Sequence, residues 1–175
     1  GWGVEDVREA AATFVLSPLS DWQRRVLATA TKLIGRPYVW GGTSDKPQTL
    51  FGRLVPAGYD CSGFVWRVFK LEPYAGGAAL AATLRGRTTY DMSGEVSKAK
   101  RISFDRLQPA DLVFFGSGPR SKPNQVGHMG IYLGNGWMIH SSGQGVAVIP
   151  LTGWYTRSFA WGRRPLAEAG LTQTG

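Results

Sequence analysis

The chain has 175 residues, 43% of them hydrophobic and 12% aromatic, which is enough for one packed domain and too apolar for a disordered segment. Its formal charge of +8 calls for an anionic partner or surface, but the basic residues are scattered, as at Arg24-Arg25, Lys98, Lys100-Arg101 and Arg163-Arg164; no basic run is interleaved with aromatics, so nucleic acid is set aside. No apolar run reaches transmembrane length, the start Gly1-Trp2-Gly3-Val4-Glu5-Asp6 lacks the parts of a signal peptide, and a single cysteine rules out an intramolecular disulfide framework.

Residues 4–15 read as a short amphipathic helix, with Val4, Val7, Ala11, Phe14 and Val15 on one side, broken by Ser17-Pro18. A second helix opens on a capping box, Ser20-Asp21-Trp22-Gln23, runs through Val26, Leu27, Ala30, Leu33 and Ile34, and ends at Gly35 and Pro37. From Tyr38 to Tyr59 the density of Gly, Pro, Thr and Ser predicts a long connection with one turn around Leu50-Phe51, and such connections often form binding walls. The next helix begins near Cys61, carries Phe64, Val65, Val68, Phe69 and Leu71, and stops at Pro73; Ala78 to Leu84 suits another. After Asp91 the pattern changes to short apolar runs, Asp111 to Phe115, His128 to Leu133, Trp137 to His140, Gly145 to Leu151 and Phe159 to Arg163, which predict a mainly antiparallel sheet. Helices first and strands later make an α+β domain. Its expected limits are residues 21–165, with a helical extension over 1–20 and a tail over 166–175.

Cys61 sits where a polar turn, Tyr59-Asp60, runs into an apolar helix. A thiolate is the attacking form of cysteine, and a helix N-terminus can lower a thiol pKa from about 8.5 toward ~3.5–7.5. A lone cysteine is otherwise a small buried hydrophobe. Partners therefore decide its role, and the chain offers two histidines, His128 and His140. Alternation places His128, Gly130 and Tyr132 on one face of a strand. A two-residue Asn135-Gly136 loop pairs Ile131 with His140 and sends His140 to the opposite face; a three-residue Gly134-Asn135-Gly136 loop pairs Gly130 with His140 and makes the histidines diagonal neighbours, about 7–8 Å apart at Cα. In the second register His128 can take the thiol proton while His140 orients its ring. Zinc fits poorly, because one Cys and two His at these separations lack a close ligand pair. No cofactor is called for.

These residues resemble a known family. Gly35-Arg36-Pro37-Tyr38-Val39-Trp40-Gly41-Gly42, then Asp60-Cys61-Ser62-Gly63-Phe64, Leu107-Gln108-Pro109-Ala110-Asp111-Leu112-Val113-Phe114-Phe115 and Gly127-His128-Met129-Gly130-Ile131-Tyr132-Leu133-Gly134 are similar, in order, to the blocks of the NlpC/P60 cysteine peptidases. The resemblance implies a papain-like α+β fold and a substrate class, the stem peptides of peptidoglycan, cut at the γ-D-glutamyl to diamino-acid bond. It also implies Cys61 as nucleophile, His128 as general base and His140 as the third polar residue. Tyr38, Trp40, Asp60 and Ser62 are implied to line or hold substrate. Arg87-Thr88-Thr89 resembles a short family segment and reads as a capped turn. The implied setting is extracellular or the cell envelope, including delivery as a phage or secretion-system effector, and the first 20 residues are available to a further domain or an inhibitor. Other readings are a papain-like amidase or acyltransferase and a non-catalytic wall-binding module. Ala110 stands where the family usually has glycine, and Thr43 to Tyr59 and Gly116 to Gln125 are longer than usual.

Overall fold

In the computed structural model, which describes residues 18–172, the chain enters through α1 (Asp21–Lys32). Its start is the capping box expected: the Ser20 hydroxyl accepts from the Gln23 N–H, and the Gln23 side chain accepts from the Ser20 N–H. Such a cap contributes about 1 kcal/mol. Val26, Leu27 and Ala30 face the core. The helix expected over residues 4–15 lies outside the described residues.

The segment read as a connection with one turn is more ordered than that. It holds β1 (Thr43–Ser44), β2 (Gln48–Leu50), β3 (Arg53–Val55) and β4 (Gly58–Tyr59), with β1 paired to β4 and β2 to β3, both antiparallel. The turn between β2 and β3 falls at Phe51-Gly52, with φ of 52° and 75°. The pairing escaped the sequence because strands of two or three residues carry too little alternation to register. Tyr59 anchors this region: its ring is fully buried, its hydroxyl donates to Asp45 Oδ1 at 2.7 Å, and its carbonyl accepts from the Ser141 hydroxyl at 2.7 Å.

Next comes α2 (Cys61–Trp66), which continues as one π turn over Arg67–Leu71 and ends before Pro73. Two short helices follow, α3 (Ala78–Thr83) and α4 (Thr89–Gly94). The second was not expected as a helix; its start is a capping box in which Thr88 and Asp91 exchange hydrogen bonds.

The remaining strands form one antiparallel sheet, β5 (Leu112–Phe115), β6 (His128–Gly134), β7 (Trp137–Ser142), β8 (Gly145–Pro150) and β9 (Phe159–Arg163), in the order β8-β7-β6-β5-β9. One face presents Leu112, Phe114, Met129, Ile131 and Ile139 to Val26, Phe64, Val68, Leu80 and the other helical core residues. The opposite face gathers Val113, Phe115, Tyr132 and Met138 with Leu151 and Phe159. A short helix, α5 (Trp154–Ser158), adds Tyr155 to that second cluster. The architecture is α+β.

The segment after β9 is not a free tail as far as it is described. In α6 (Pro165–Glu168), Leu166 is buried in the main core, and Glu168 accepts from the buried Arg163 guanidinium at 2.8 and 2.9 Å. Arg163 has to be neutralised inside the protein, and Glu168 does so; that requirement holds the segment down.

Candidate active site

The nucleophile candidate is positioned by its neighbours. Asp60 is the N-cap of α2, with one carboxylate oxygen accepting from the Gly63 N–H at 2.6 Å and the other from the Gly41 N–H at 2.8 Å. Arg87 adds a third tie, donating to Asp60 Oδ1 at 3.0 Å and to the Ser62 hydroxyl at 2.6 Å, with a longer contact to the Gly41 carbonyl. A side chain on Gly63 would overlap the Gly42 carbonyl, so only glycine allows the Tyr38–Gly42 strip to lie this close to the helix. Asp60 and Ser62 are thus committed to bonds within the protein, and Ser62 is only 6% exposed. Sequence reasoning gave Arg87 no contacts; a guanidinium bridging two flanks of the cysteine is a tertiary fact.

Cys61 Sγ lies 3.4 Å from Thr89 Oγ1 at the start of α4 and receives the backbone N–H groups of Ser62 and Met129. The second of these brings the sulfur to the residue that follows His128, so the start of α2 meets the start of β6. The net effect on the thiol is nevertheless an increase in pKa: burial raises it most, and the negative charge of Asp60 adds to that, while Thr89 and the two N–H groups oppose. The helix start was expected to lower this pKa. A helix of six residues capped by a carboxylate does not offset the loss of solvent.

The two imidazoles are in contact, with His128 Nε2 2.7 Å from His140 Nδ1. This follows from register. Ile131 opposes Ile139 and Tyr132 opposes Met138, so continuing the ladder puts Gly130 opposite His140. Both loops weighed from sequence contribute: Asn135 and Gly136 form a two-residue turn with φ of 52° and 84°, and a bulge between Tyr132 and Gly134 supplies the shift of one residue that keeps the histidines on one face. Gly130 makes the space, since a Cβ there would sit 3.1 Å from the Cβ of His140 and 3.0 Å from the Ile139 carbonyl.

Aromatic rings enclose the pair. Phe115 stands 6.0 Å from His128, and Tyr155 stands 6.4 Å from His128 and 5.8 Å from His140. Burial therefore pulls His128 down to about 4, and burial together with the charge on His128 pulls His140 down to about 3. At neutral pH both rings are uncharged. If the shared proton resides on His128 Nε2, its Nδ1 is left as a proton acceptor. Tyr38 is partly exposed beside Cys61 and Asp60, and burial, then those two charges, raise its pKa. Trp40 is 69% exposed and stacks at 4.9 Å on Phe51, a residue that sequence reasoning placed only in a turn. Among the described residues, no group of three or more His, Cys, Asp or Glu side chains is arranged to hold a metal ion.

The model of the NlpC/P60 family matches residues 35–164, which contain every residue of this constellation. The chain belongs to the NlpC/P60 family. The bifunctional muramidase/DL-endopeptidase CwlT of Bacillus subtilis is 34% identical over 137 residues, covering 78% of this chain and 34% of CwlT. The gamma-D-glutamyl-L-lysine dipeptidyl-peptidase of the same bacterium is 27% identical over 129 residues, covering 73% of this chain and 35% of that protein. The NlpC/P60 chain thus spans about a third of the length of these curated relatives. Among solved structures, the NlpC/p60 domain of the peptidoglycan hydrolase SagA superposes with a TM-score of 0.56 at 30% identity, covering 81% of this chain and 97% of that one. RipD of Mycobacterium tuberculosis, described as a non-catalytic NlpC/p60 domain protein, superposes with a TM-score of 0.60 at 22% identity, covering 83% and 98%. The fold alone therefore does not carry an activity; only the side chains at the site can.

Proposed function

We propose that this NlpC/P60 domain hydrolyses the stem peptides of peptidoglycan at the γ-D-glutamyl to diamino-acid bond, with Cys61 as nucleophile, His128 as base and His140 as the group that orients it. The observation that carries this is the 2.7 Å contact between His128 Nε2 and His140 Nδ1, next to a strand start whose Met129 N–H reaches the Cys61 sulfur. A merely wall-binding domain has no need to bury two uncharged histidines against each other beside a thiol. The names of the relatives, endopeptidases and a γ-D-glutamyl peptidase, support the substrate class. They also favour a place in the cell envelope or outside the cell.

In the proposed reaction His128 Nδ1 takes the proton of the Cys61 thiol as sulfur adds to the amide carbonyl. The C–N bond then breaks while His128 returns the proton to the departing amine, leaving a thioester, and water activated by the same imidazole hydrolyses it to the carboxylic acid and free thiol. The backbone N–H of Cys61 is the proposed donor to the oxyanion, a contact typically worth about 2.7–4 kcal/mol. His140 keeps the Nε2 proton of His128 in place, so that Nδ1 stays available.

Digestion of defined muropeptides with mass readout tests the reading. Fragments ending in L-Ala-D-Glu, absent with Cys61→Ala, are expected. Intact stem peptides released from glycan would point instead to an amidase of the same fold, and equal digestion by Cys61→Ala would remove the cysteine from the mechanism.

A further inference from the structure

The sheet by itself leaves the histidine pair poorly covered. On the face that carries it, His140 lies between Gly130 on β6 and Ala147 on β8, and neither has a side chain large enough to roof an imidazole. Phe115 lies opposite His128 on β5 and closes that flank, but of the two histidines its ring meets only His128. His140 is nevertheless only 2% exposed.

A residue of α5 supplies cover. Beside the histidines themselves, Tyr155 is the only described residue whose ring contacts both imidazoles, at 6.4 Å from His128 and, edge to face, at 5.8 Å from His140. It is wedged nearly at right angles to Phe115 and Trp154, at 5.3 and 5.1 Å. Trp154 is half exposed and has no ring contact with either histidine, so Tyr155 stands between the pair and the solvent side. The backbone that presents it is tied down. The Tyr155 N–H donates to the Thr152 carbonyl at 3.2 Å, the Thr156 hydroxyl to the Leu151 carbonyl at 3.0 Å, and the Gly116 N–H to the Ser158 carbonyl at 2.8 Å.

We infer that Tyr155 is a positioning residue of the site: its ring shuts water out of the His128–His140 contact and keeps the two imidazoles docked as an uncharged unit. This rests on the proposed roles of the two histidines and adds a residue that lies outside the four sequence blocks carrying the family resemblance. Water competes for the same nitrogens, so a hydrogen bond between two neutral rings gains little in its presence and more once it is excluded. An aromatic cover also withholds the solvation that a protonated ring needs. The groups around the pair that can bear charge are Cys61 on α2, whose sulfur receives the Met129 N–H, and Tyr155 itself. Opposite the two rings β5 and β8 present Phe115 and Ala147, and Arg157, the cation of α5, is exposed. Loss of solvent is what depresses His128, and it is the first cause for His140, ahead of the charge on His128. Burial raises the Tyr155 hydroxyl, so that group stays uncharged at neutral pH.

The test is an NMR titration of the imidazoles, read beside the pH dependence of kcat/KM on muropeptides, in the wild-type protein and in Tyr155→Phe, Tyr155→Gln and Tyr155→Ala. The wild-type pair is expected to titrate well below the ordinary histidine value of about 6.5, and Tyr155→Phe, which keeps the ring, should match it. Tyr155→Gln and Tyr155→Ala admit water and should raise the midpoint of the pair by about one pH unit or more, which lowers kcat/KM on the acid limb by about tenfold. Loss of a merely structural contact would lower the urea midpoint of these variants and leave the titration where it was, and that result overturns the inference. So would a wild-type pair that titrates near 6.5, or a Tyr155→Phe protein that behaves like Tyr155→Ala. Where Tyr155→Ala fails to fold, Tyr155→Gln, which keeps more of the side-chain volume, gives the reading. A wild-type protein that cleaves no stem peptide would sink the proposed function, while the NMR titration would still decide the role of Tyr155.

Discussion

Asp60 and Arg87, 27 positions apart in sequence, meet at 3.0 Å behind Cys61 and tie the Trp40-Gly41-Gly42 strip, the start of α2 and the approach to α4 into one unit. The pair is partly shielded from solvent, and the guanidinium also serves the Ser62 hydroxyl and two carbonyls. Replacing Arg87 by Ala should leave the Asp60 carboxylate and those acceptors short of donors and lower stability by about 1–3 kcal/mol, visible as a fall in urea midpoint. Arg87→Lys should recover little, because a single ammonium cannot reproduce a fork that reaches several acceptors at once. Full recovery by lysine would show that charge alone matters here.

The histidine pair predicts a pH signature in stability. An unfolded chain protonates its histidines near 6.5, whereas His128 and His140 in the fold resist protonation until about 4 and about 3. Between those limits the unfolded state binds more protons. Stability contributed by the neutral pair is therefore complete above about pH 6.5 and is lost as pH falls toward 4 and below. Urea midpoints measured from pH 7 to pH 4 should drop in the wild-type protein, and the slope should flatten in a His128→Gln, His140→Gln double variant. An unchanged slope would place the acid sensitivity elsewhere.

The same depression shapes catalysis under the proposed mechanism. A base that stays unprotonated well below pH 6.5 and a thiol whose pKa is raised give a broad bell for kcat/KM, with its acid limb near 4 and its alkaline limb above the ordinary thiol range. A rate profile that already falls through pH 6.5 would mean that the histidine is far more solvated than its surroundings indicate.

Thr89 offers a cleaner probe of the sulfur. Its hydroxyl, 3.4 Å from Cys61 Sγ, is the largest of the contacts that lower the thiol pKa. Thr89→Val keeps the shape and removes that hydroxyl, so the pH at which iodoacetamide alkylates Cys61 should move upward. A downward or absent shift would show that the hydroxyl does not support the thiolate.

Gly130 is the position where packing and chemistry meet. Gly130→Ala should place a methyl group against His140 and the Ile139 carbonyl, costing about 1–3 kcal/mol as overpacking and displacing His140 from His128. Loss of kcat larger than the loss of stability, together with altered imidazole NMR signals, is the expected outcome; a variant as active as the wild type would show that the pair tolerates a wider separation.

Much of this was legible from sequence where local chemistry speaks for itself. The Ser20–Gln23 cap, the apolar runs of the sheet and the strand positions of His128 and His140 needed only periodicity and turn residues. The register between the histidines was legible only as one of two options, because a bulge leaves no mark in composition. The β2–β3 hairpin was hidden by its turn, which uses Phe51-Gly52 in place of Asn-Gly, and α4 by its length, although Thr88 and Asp91 spelled a capping box. What sequence could not supply was environment. The rise in the Cys61 pKa and the commitments of Asp60 and Ser62 to Arg87 arise from packing between distant segments.

That raised thiol pKa has a chemical corollary. Peroxides, disulfides and alkylating agents react with the sulfur anion, and a cysteine that keeps its proton at rest offers them a poor target. These 175 residues hold no second cysteine, so a sulfenic acid formed at position 61 would find no resolving thiol within this domain. Under the proposed mechanism, withholding the anion until His128 draws the proton away therefore does more than set a rate: it protects a sulfur atom for which this domain carries no spare.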